Sequence, residues 1–408
     1  MLHPKAVNGS EINQDGGQSG VGSEGKKTSH PNSISQCLGR GWLRLAGMFA
    51  VALAVVLPLG GQTRKAAAAP GIKVQGNQLV TTRAGTLGVQ SVGAGVPVVL
   101  RGVNFSGSQS ACLKGHFWGN QEGNQTTINA MLTWHANVMR LPLNEDCWLG
   151  LNGLAAAASG ANYQSAMGSF VNLAVASGLI VEVDLHYGAG GKAVPVSDDY
   201  PALDADHAPA FWQSVADYFK GNPSVIFNLI NEPYGISWPC LRDGGCMAKS
   251  KHKGSWRVVG TQSVVNTVRA TGATNPIIIA GLDWSDDLTQ WLRYVPSDTA
   301  KQLIAGFHTY APPLDKNCTT TSCWDNVLAP IQAAGYPLLI NEFGETDCAH
   351  DYIDKVMDWA DAQAPQVGYW GWDWTTLSCK KEPALLRDSF GTPSNYGVGL
   401  RQRLLAVQ

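Results

Sequence analysis

Eight short apolar runs, rich in β-branched residues, recur along this chain between longer segments of helical character. The runs cover residues 98–104, 137–143, 179–187, 225–232, 276–284, 303–310, 337–342 and 368–374. Each is short, almost continuously apolar and bounded by Gly, Pro or polar residues, which reads as a fully buried strand. Helix-like segments lie between them at 127–135, 163–177, 208–220, 256–271, 286–292, 323–334 and 351–362, and an amphipathic piece at 400–407 closes the chain. Eight strands alternating with helices predict an α/β fold, a (β/α)8 TIM barrel with parallel strands. An open doubly wound sheet is the alternative, but no Gly-rich dinucleotide fingerprint follows the first run. Residues 72–92 alternate weakly around Gly76-Asn77 and Ala84-Gly85 and predict a short N-terminal β-hairpin.

The barrel takes up the chain from residue 70 to 408. Residues 1–44 are polar and rich in Gly, Ser and Asn, and are expected to be disordered. Residues 45–63 carry no charge, follow Arg40 and Arg44, and precede Ala66-Ala67-Ala68-Ala69. That order predicts a secretory signal over 45–69 with cleavage near Ala69, and hence a secreted or periplasmic protein. An uncleaved membrane anchor is the alternative, though the stretch is short for a span. Beyond Cys37, eight cysteines remain, an even number that in an exported chain points to disulfides. Short loops favour Cys240–Cys246 and Cys318–Cys323, leaving Cys112–Cys147 and Cys348–Cys379 to join adjacent loops at strand ends. Zinc is the rival use, but no pair has CxxC spacing. Net charge is −2 and charged residues are sparse at 15%, so nothing favours nucleic acid as a partner. A monomer is expected, with no metal or cofactor.

In such a barrel, chemistry sits at the C-terminal ends of the strands. Two glutamates each follow an asparagine at such an end, Asn231-Glu232 and Asn341-Glu342. A carboxylate at the mouth of a buried strand has lost solvation and costs free energy unless it is used or compensated. Two of them suggest acid/base chemistry in which one keeps its proton and the other does not. Other polar residues gather at the same level: Arg140 on the second run, His186 on the third, His308 and Tyr310 on the sixth, and Trp372 on the eighth. Glu145, just past the second run, is expected to reach the cleft and touch substrate. Asp184 and Asp373 are expected to be structural. Among 14 tryptophans, Trp134, Trp212, Trp291 and Trp359 read as core. Trp118, Trp148, Trp238, Trp284, Trp324, Trp372 and Trp374 lie near strand ends, where about half would offer faces to sugar rings.

Taken together, these residues resemble glycoside hydrolase family 5, the cellulase-type retaining hydrolases of the four/seven barrel superfamily, over roughly residues 72–400. The resemblance rests on Asn231-Glu232-Pro233 and Asn341-Glu342-Phe343-Gly344, with Arg140, His186, His308, Tyr310 and Trp372 completing the pattern. It implies double displacement at a β-glycosidic bond, with Glu342 as nucleophile and Glu232 as acid and then base. Arg140 and Tyr310 would hold Glu342, Asn231 would bind the sugar 2-hydroxyl, His186 and His308 would hold hydroxyls or support the glutamates, and Trp372 would stack under the reacting sugar. Glu232 is expected to have a raised pKa, since two like charges so close oppose a second ionisation. The implied substrate is a β-glucan, with β-mannan, mixed-linkage glucan, exo-glucosidase and transglycosylase activity open. Rival classes fare worse. There is no HExxH for a metal hydrolase and no GxSxG after a strand for a serine hydrolase. A non-catalytic glycan-binding protein on this scaffold is the alternative from another class.

Overall fold

The computed structural model describes residues 67–195, 197, 200–315, 317–380 and 382–407. The expected polar leader and nearly all of the expected signal segment lie outside the described residues. Ala69, where cleavage was expected, is buried and donates its N–H to Val175 O at 2.7 Å, so the packed body begins before residue 70.

Eight parallel strands form a closed barrel in chain order. They are β1 (Arg101–Asn104), β2 (Val138–Asn144), β3 (Ile180–Tyr187), β4 (Val225–Asn228), β5 (Ile277–Ala280), β6 (Leu303–Tyr310), β7 (Leu338–Gly344) and β8 (Gly368–Gly371). β8 closes the ring on β1 through Tyr369 opposite Arg101. Nearly every strand residue is buried because helices cover the outer face and side chains fill the interior, which explains why the runs read as continuously apolar. The helix Asp351–Ala362 shows how the outer layer is specified. Its buried Tyr352, Ile353, Val356, Met357 and Ala360 recur at helical spacing and face the barrel.

Two strands carry an extra residue near their C-terminal ends. Phe307 pairs with Ile340 but the next residue, His308, pairs with Glu342, so Asn341 is a bulge in β7. Leu143 pairs with Leu185 and Asn144 with Tyr187, so His186 is a bulge in β3. A bulge breaks the alternation of side chains and turns neighbours to the same face.

Several expected elements differ. The N-terminal segment holds two hairpins, Ile72–Gln75 with Gln78–Thr81 and Gly85–Leu87 with Gln90–Val92, and Pro97–Val98 adds a third strand to the first. The expected helix over 256–271 starts only at Thr261. Gly254–Val259 is instead the second strand of a hairpin with Gly244–Ser250, because Trp256 and Val258 turn inward while Ser255 and Arg257 face out. The expected helix over 323–334 is divided into Thr321–Val327 and Ala329–Ala333, since Pro330 cannot donate within a continuous helix. The fourth run leaves the ladder after Asn228, four residues earlier than expected. In place of a helix at 286–292, the chain turns through Asp283, Trp284 and Ser285, all at positive φ, before the short helix Trp291–Tyr294.

The four disulfides are Cys240–Cys246 and Cys318–Cys323, the two that loop length favoured, and Cys112–Cys147 and Cys348–Cys379, the two that then remained. Among the described residues no helix is long and apolar enough to cross a membrane.

Candidate active site

Arg140 stands at the centre of the C-terminal end of the barrel, with no exposed surface. Its guanidinium meets five side chains carried by four other strands. Nη1 donates to Glu342 Oε2 at 2.5 Å and to Asn104 Oδ1 at 2.9 Å. Nη2 donates to Asp184 Oδ2 at 3.1 Å and to Asn231 Oδ1, and Nε lies 3.1 Å from Glu182 Oε1. Burial opposes the charge, but Asp184, Glu342 and Glu182 together raise the arginine's pKa further, so the guanidinium stays charged.

Glu342 is held from a second side. Tyr310 Oη donates to its Oε1 at 2.6 Å, and burial first, then Glu342 itself, push the phenol pKa well above its usual value. Both carboxylate oxygens therefore accept hydrogen bonds from fixed donors, and the side chain is only 6% exposed. Glu232 is more open at 25%. His308 bridges the two, its Nδ1 being 3.0 Å from Glu232 Oε1 and 3.7 Å from Glu342 Oε2. Burial depresses the imidazole pKa to about 4, assisted by the Arg140 charge and opposed by Glu342, so His308 is neutral near pH 7. One atom from each of Glu232, His308 and Glu342 falls within a 4.8 Å group. The same donor types suit a divalent cation, but Arg140 already places a positive charge on Glu342.

On the other side His186 Nδ1 meets Asp184 Oδ2 at 3.1 Å, and its ring stacks on Trp372 with centroids 5.6 Å apart and planes 7° from parallel. Trp372 keeps 9% of its surface, whereas Trp370 and Trp374 are sealed at 0% and 1%, which leaves Trp372 as the indole at the mouth of β8. Of the seven tryptophans placed near strand ends, Trp148, Trp238 and Trp324 are also core, and only Trp118 and Trp284 are half-buried. The expectation that about half would offer open faces was too high, because aromatic side chains of the outer layer pack over them: Trp148 meets Phe211 and Phe219, Trp324 meets Tyr352 and Trp359, and Trp374 meets Trp134.

Glu145 is corrected most clearly. It is fully buried, accepts from Ala189 N at 2.6 Å and hydrogen-bonds Asp204, so it faces a loop and not the cleft. Asn144 caps the helix Glu145–Leu149, and this cap turns Glu145 away from the barrel mouth. Asp184 pairs with a barrel neighbour, Arg140, as expected, and Asp373 is buried against Ser106. Sequence reading missed Glu182, Asn104 and Glu382. Glu182 lies two residues before Asp184 and four before His186, so the two-residue period of β3 already aimed it inward. Glu382, in the loop after β8, accepts a hydrogen bond from the Trp372 side chain, and nothing in its local sequence signals this. A cavity at the opposite end of the barrel, around Asn77, Leu79, Val98, Gln332 and Pro365, is lined by no titratable side chain.

A fold with paired glutamates at β4 and β7, an arginine beneath them and an indole at β8 defines a class of sugar-processing barrels. The chain belongs to the Cellulase (glycosyl hydrolase family 5) family, whose profile matches residues 93–378. It is similar to Endoglucanase E-5 of Thermobifida fusca, 23% identical over 296 residues, which cover 69% of this chain and 53% of that protein. A mannan endo-1,4-beta-mannosidase of Cellvibrio japonicus (strain Ueda107) is 23% identical over 360 residues, 86% of this chain and 68% of that protein. The chain thus spans about half the length of the Thermobifida relative. Among solved structures, a Saccharophagus degradans beta-glucanase in complex with cellotetraose aligns at a TM-score of 0.58, 19% identity, 84% of this chain and 94% of that one. The catalytic domain of a Thermobifida fusca endoglucanase aligns at 0.55, 19% identity, 82% and 97%. These two likenesses concern the fold.

Proposed function

We propose that this protein is a secreted retaining glycoside hydrolase that cleaves β-glycosidic bonds in a β-glucan, in an endoglucanase-like manner. The observation that carries the reading is the convergence of Glu232, His308 and Glu342 within 4.8 Å, with Arg140 and Tyr310 on the second glutamate. Retaining enzymes hold their carboxyl groups about 5–5.5 Å apart, and inverting ones farther to admit a water.

Glu342 attacks the anomeric carbon, its charge held by Arg140 and its direction by Tyr310. The C1–O bond breaks as Glu232 gives its proton to the leaving oxygen. Water then attacks the glycosyl-enzyme, Glu232 takes the water's proton, and Glu342 leaves with the C1–O electron pair. Glu232, more open than its partner, is the group that meets leaving oxygen and water in turn. Neutral His308 adds no charge and supports Glu232 through a hydrogen bond. Because Arg140 holds Asn231 Oδ1, Asn231 Nδ2 is left to meet the sugar 2-hydroxyl, a contact that strengthens in the transition state. Trp372, braced by His186 and Glu382, forms the floor under the reacting sugar.

Four disulfides support an oxidising compartment and therefore export. β-Mannan is the second substrate reading, favoured by the Cellvibrio mannanase among the relatives. The test is hydrolysis of soluble β-glucans, mannan, xylan and aryl β-glycosides by the wild type, Glu232→Gln and Glu342→Gln. Cleavage of one substrate class that both variants lose is expected. Glycan binding without turnover in the wild type would sink the catalytic reading in favour of a binding protein.

A further inference from the structure

Asn341 and Glu342 are neighbours in a strand, yet both point into the barrel. In a regular strand one of them would face the helices. Asn341 is the extra residue of the β7 bulge. Its Nδ2 donates to Glu182 Oε1 at 2.9 Å, from β7 to β3 on the opposite side of the eight-strand ring. The same Oε1 accepts from Asn228 Nδ2 of β4 at 2.9 Å and lies 3.1 Å from Arg140 Nε. All four side chains are fully buried. Room for the amide comes from β6. A Cβ at Gly306 would stand 3.1 Å from Asn341 Oδ1 and 2.5 Å from Ile278 Cγ2.

One carboxylate oxygen thus fixes three things at once: the bulge residue next to Glu342, the arginine on Glu342, and the end of β4 that leads to Glu232. We propose that Asn341 and Glu182 are positioning residues, a strut across the barrel that anchors the β7 bulge and so aims Glu342 at the anomeric carbon. The inference rests on the reading of Glu342 as nucleophile. Without the strut, β7 is free to lose its bulge, and Glu342 then swings by part of a residue repeat. A misplacement of about 1 Å costs on the order of 100-fold in rate.

The probe is 2,4-dinitrophenyl 2-deoxy-2-fluoro-β-cellobioside, with its manno-configured counterpart alongside. Glu342 attacks C1, the C1–O bond breaks, and dinitrophenolate leaves with the electron pair, so no proton from Glu232 is required. Release of dinitrophenolate gives the inactivation rate and the inactivator's affinity separately, and peptide mass analysis locates the label. Asn341→Ala is expected to lower the inactivation rate about 100-fold with little change in affinity. Glu182→Leu, which reads the same contact from the other side, is expected to match it. Glu182→Gln keeps an oxygen acceptor for both amides and should stay within about threefold of the wild type. Asn137→Ala serves as control. Asn137 is a buried amide at the other end of the barrel that bonds Arg101 N and Val99 O, so its loss lowers the melting temperature without touching β7. A purely structural role predicts that all variants with equal melting temperatures inactivate equally. If Asn341→Ala or Glu182→Leu is labelled on Glu342 at the wild-type rate, the strut has no positioning role. If neither probe labels Glu342 in the wild type, the nucleophile assignment falls and the strut with it.

Discussion

Two clusters of buried charge lie on the C-terminal side of this barrel, and they differ in what their partners leave open. The first is Arg140 with Glu182, Asp184 and Glu342. The second joins loops that follow β2, β3 and β4. Glu145 hydrogen-bonds Asp204, Tyr200 Oη donates to Asp204 at 2.7 Å, and Lys253 Nζ pairs with Asp146 at 3.2 Å. Both contain a buried cation and carboxyl groups pushed up by burial. Glu182 reaches about 7, and Glu145 lies well above its usual range. Perturbed protonation therefore does not separate function from structure here, although it is a common marker of active sites. The separation lies in direction. In the first cluster the bonds to Glu342 aim it toward Glu232, which keeps open surface. In the second the contacts turn inward: Glu145–Asp204 and Asp146–Lys253 tie loop to loop, and Tyr200–Asp204 braces one loop internally.

The sharpest way to break this contrast is to make the same chemical change in both clusters. Glu342→Gln should lower kcat by about 10³-fold or more while the fold survives, because Glu182 and Asp184 still neutralise Arg140. Glu145→Gln should leave kcat within about twofold. Comparable losses in both would mean that the second cluster also serves the reaction. Next in size is Lys253→Met. It leaves Asp146 buried without its cation, at a cost of about 3–5 kcal/mol in unfolding free energy. Urea titration should show that loss, and it should shrink at low pH, where Asp146 takes up a proton. Turnover below the melting transition should be unchanged.

The smallest effect concerns pH. Glu145 binds its proton more tightly folded than unfolded, so its contribution is present below about pH 4.5 and is lost as pH rises toward the folded pKa. Glu182 acts with the same sign between about 4.5 and 7. The melting temperature should therefore fall with rising pH across that window, once other groups are held constant by comparison with variants. Glu145→Gln, which has no proton to lose, should flatten the slope without abolishing it. An unchanged slope would remove Glu145 from the account.

The first cluster was legible in the sequence and the second was not, for one physical reason. Arg140, His186, Glu232, His308, Tyr310 and Glu342 lie at the ends of apolar runs, so strand register carries them to one level whatever the loops do. Glu145 lies one residue beyond a strand, inside a capped turn, and its direction depends on contacts with Ala189 and Asp204 some 44 and 59 positions away. The same limit explains the end of the hairpin at 256–259, where two-residue alternation was read as the start of a helix, and the sealed tryptophans. It does not explain the missed Glu182, whose inward direction follows from the period of β3. The bulges were not legible. Nothing in Leu338-Leu339-Ile340-Asn341-Glu342 announces that two successive side chains will share a face.

The disulfides carry a consequence for how this molecule comes apart. All four close loops at the C-terminal ends of the strands, and among the described residues none crosses the N-terminal end. Cys112–Cys147 and Cys348–Cys379, separated by 35 and 31 residues, each restrict the unfolded chain by about 4 kcal/mol on loop-closure entropy, and the two short bridges by about 2. Bridges of either length also limit what each loop can do while the barrel stays closed. A mild reductant should therefore act first as a solvent of shape: the rim around Glu232 loosens and polymer cleavage fades, while the hydrogen-bonded ring of strands still gives its native circular dichroism.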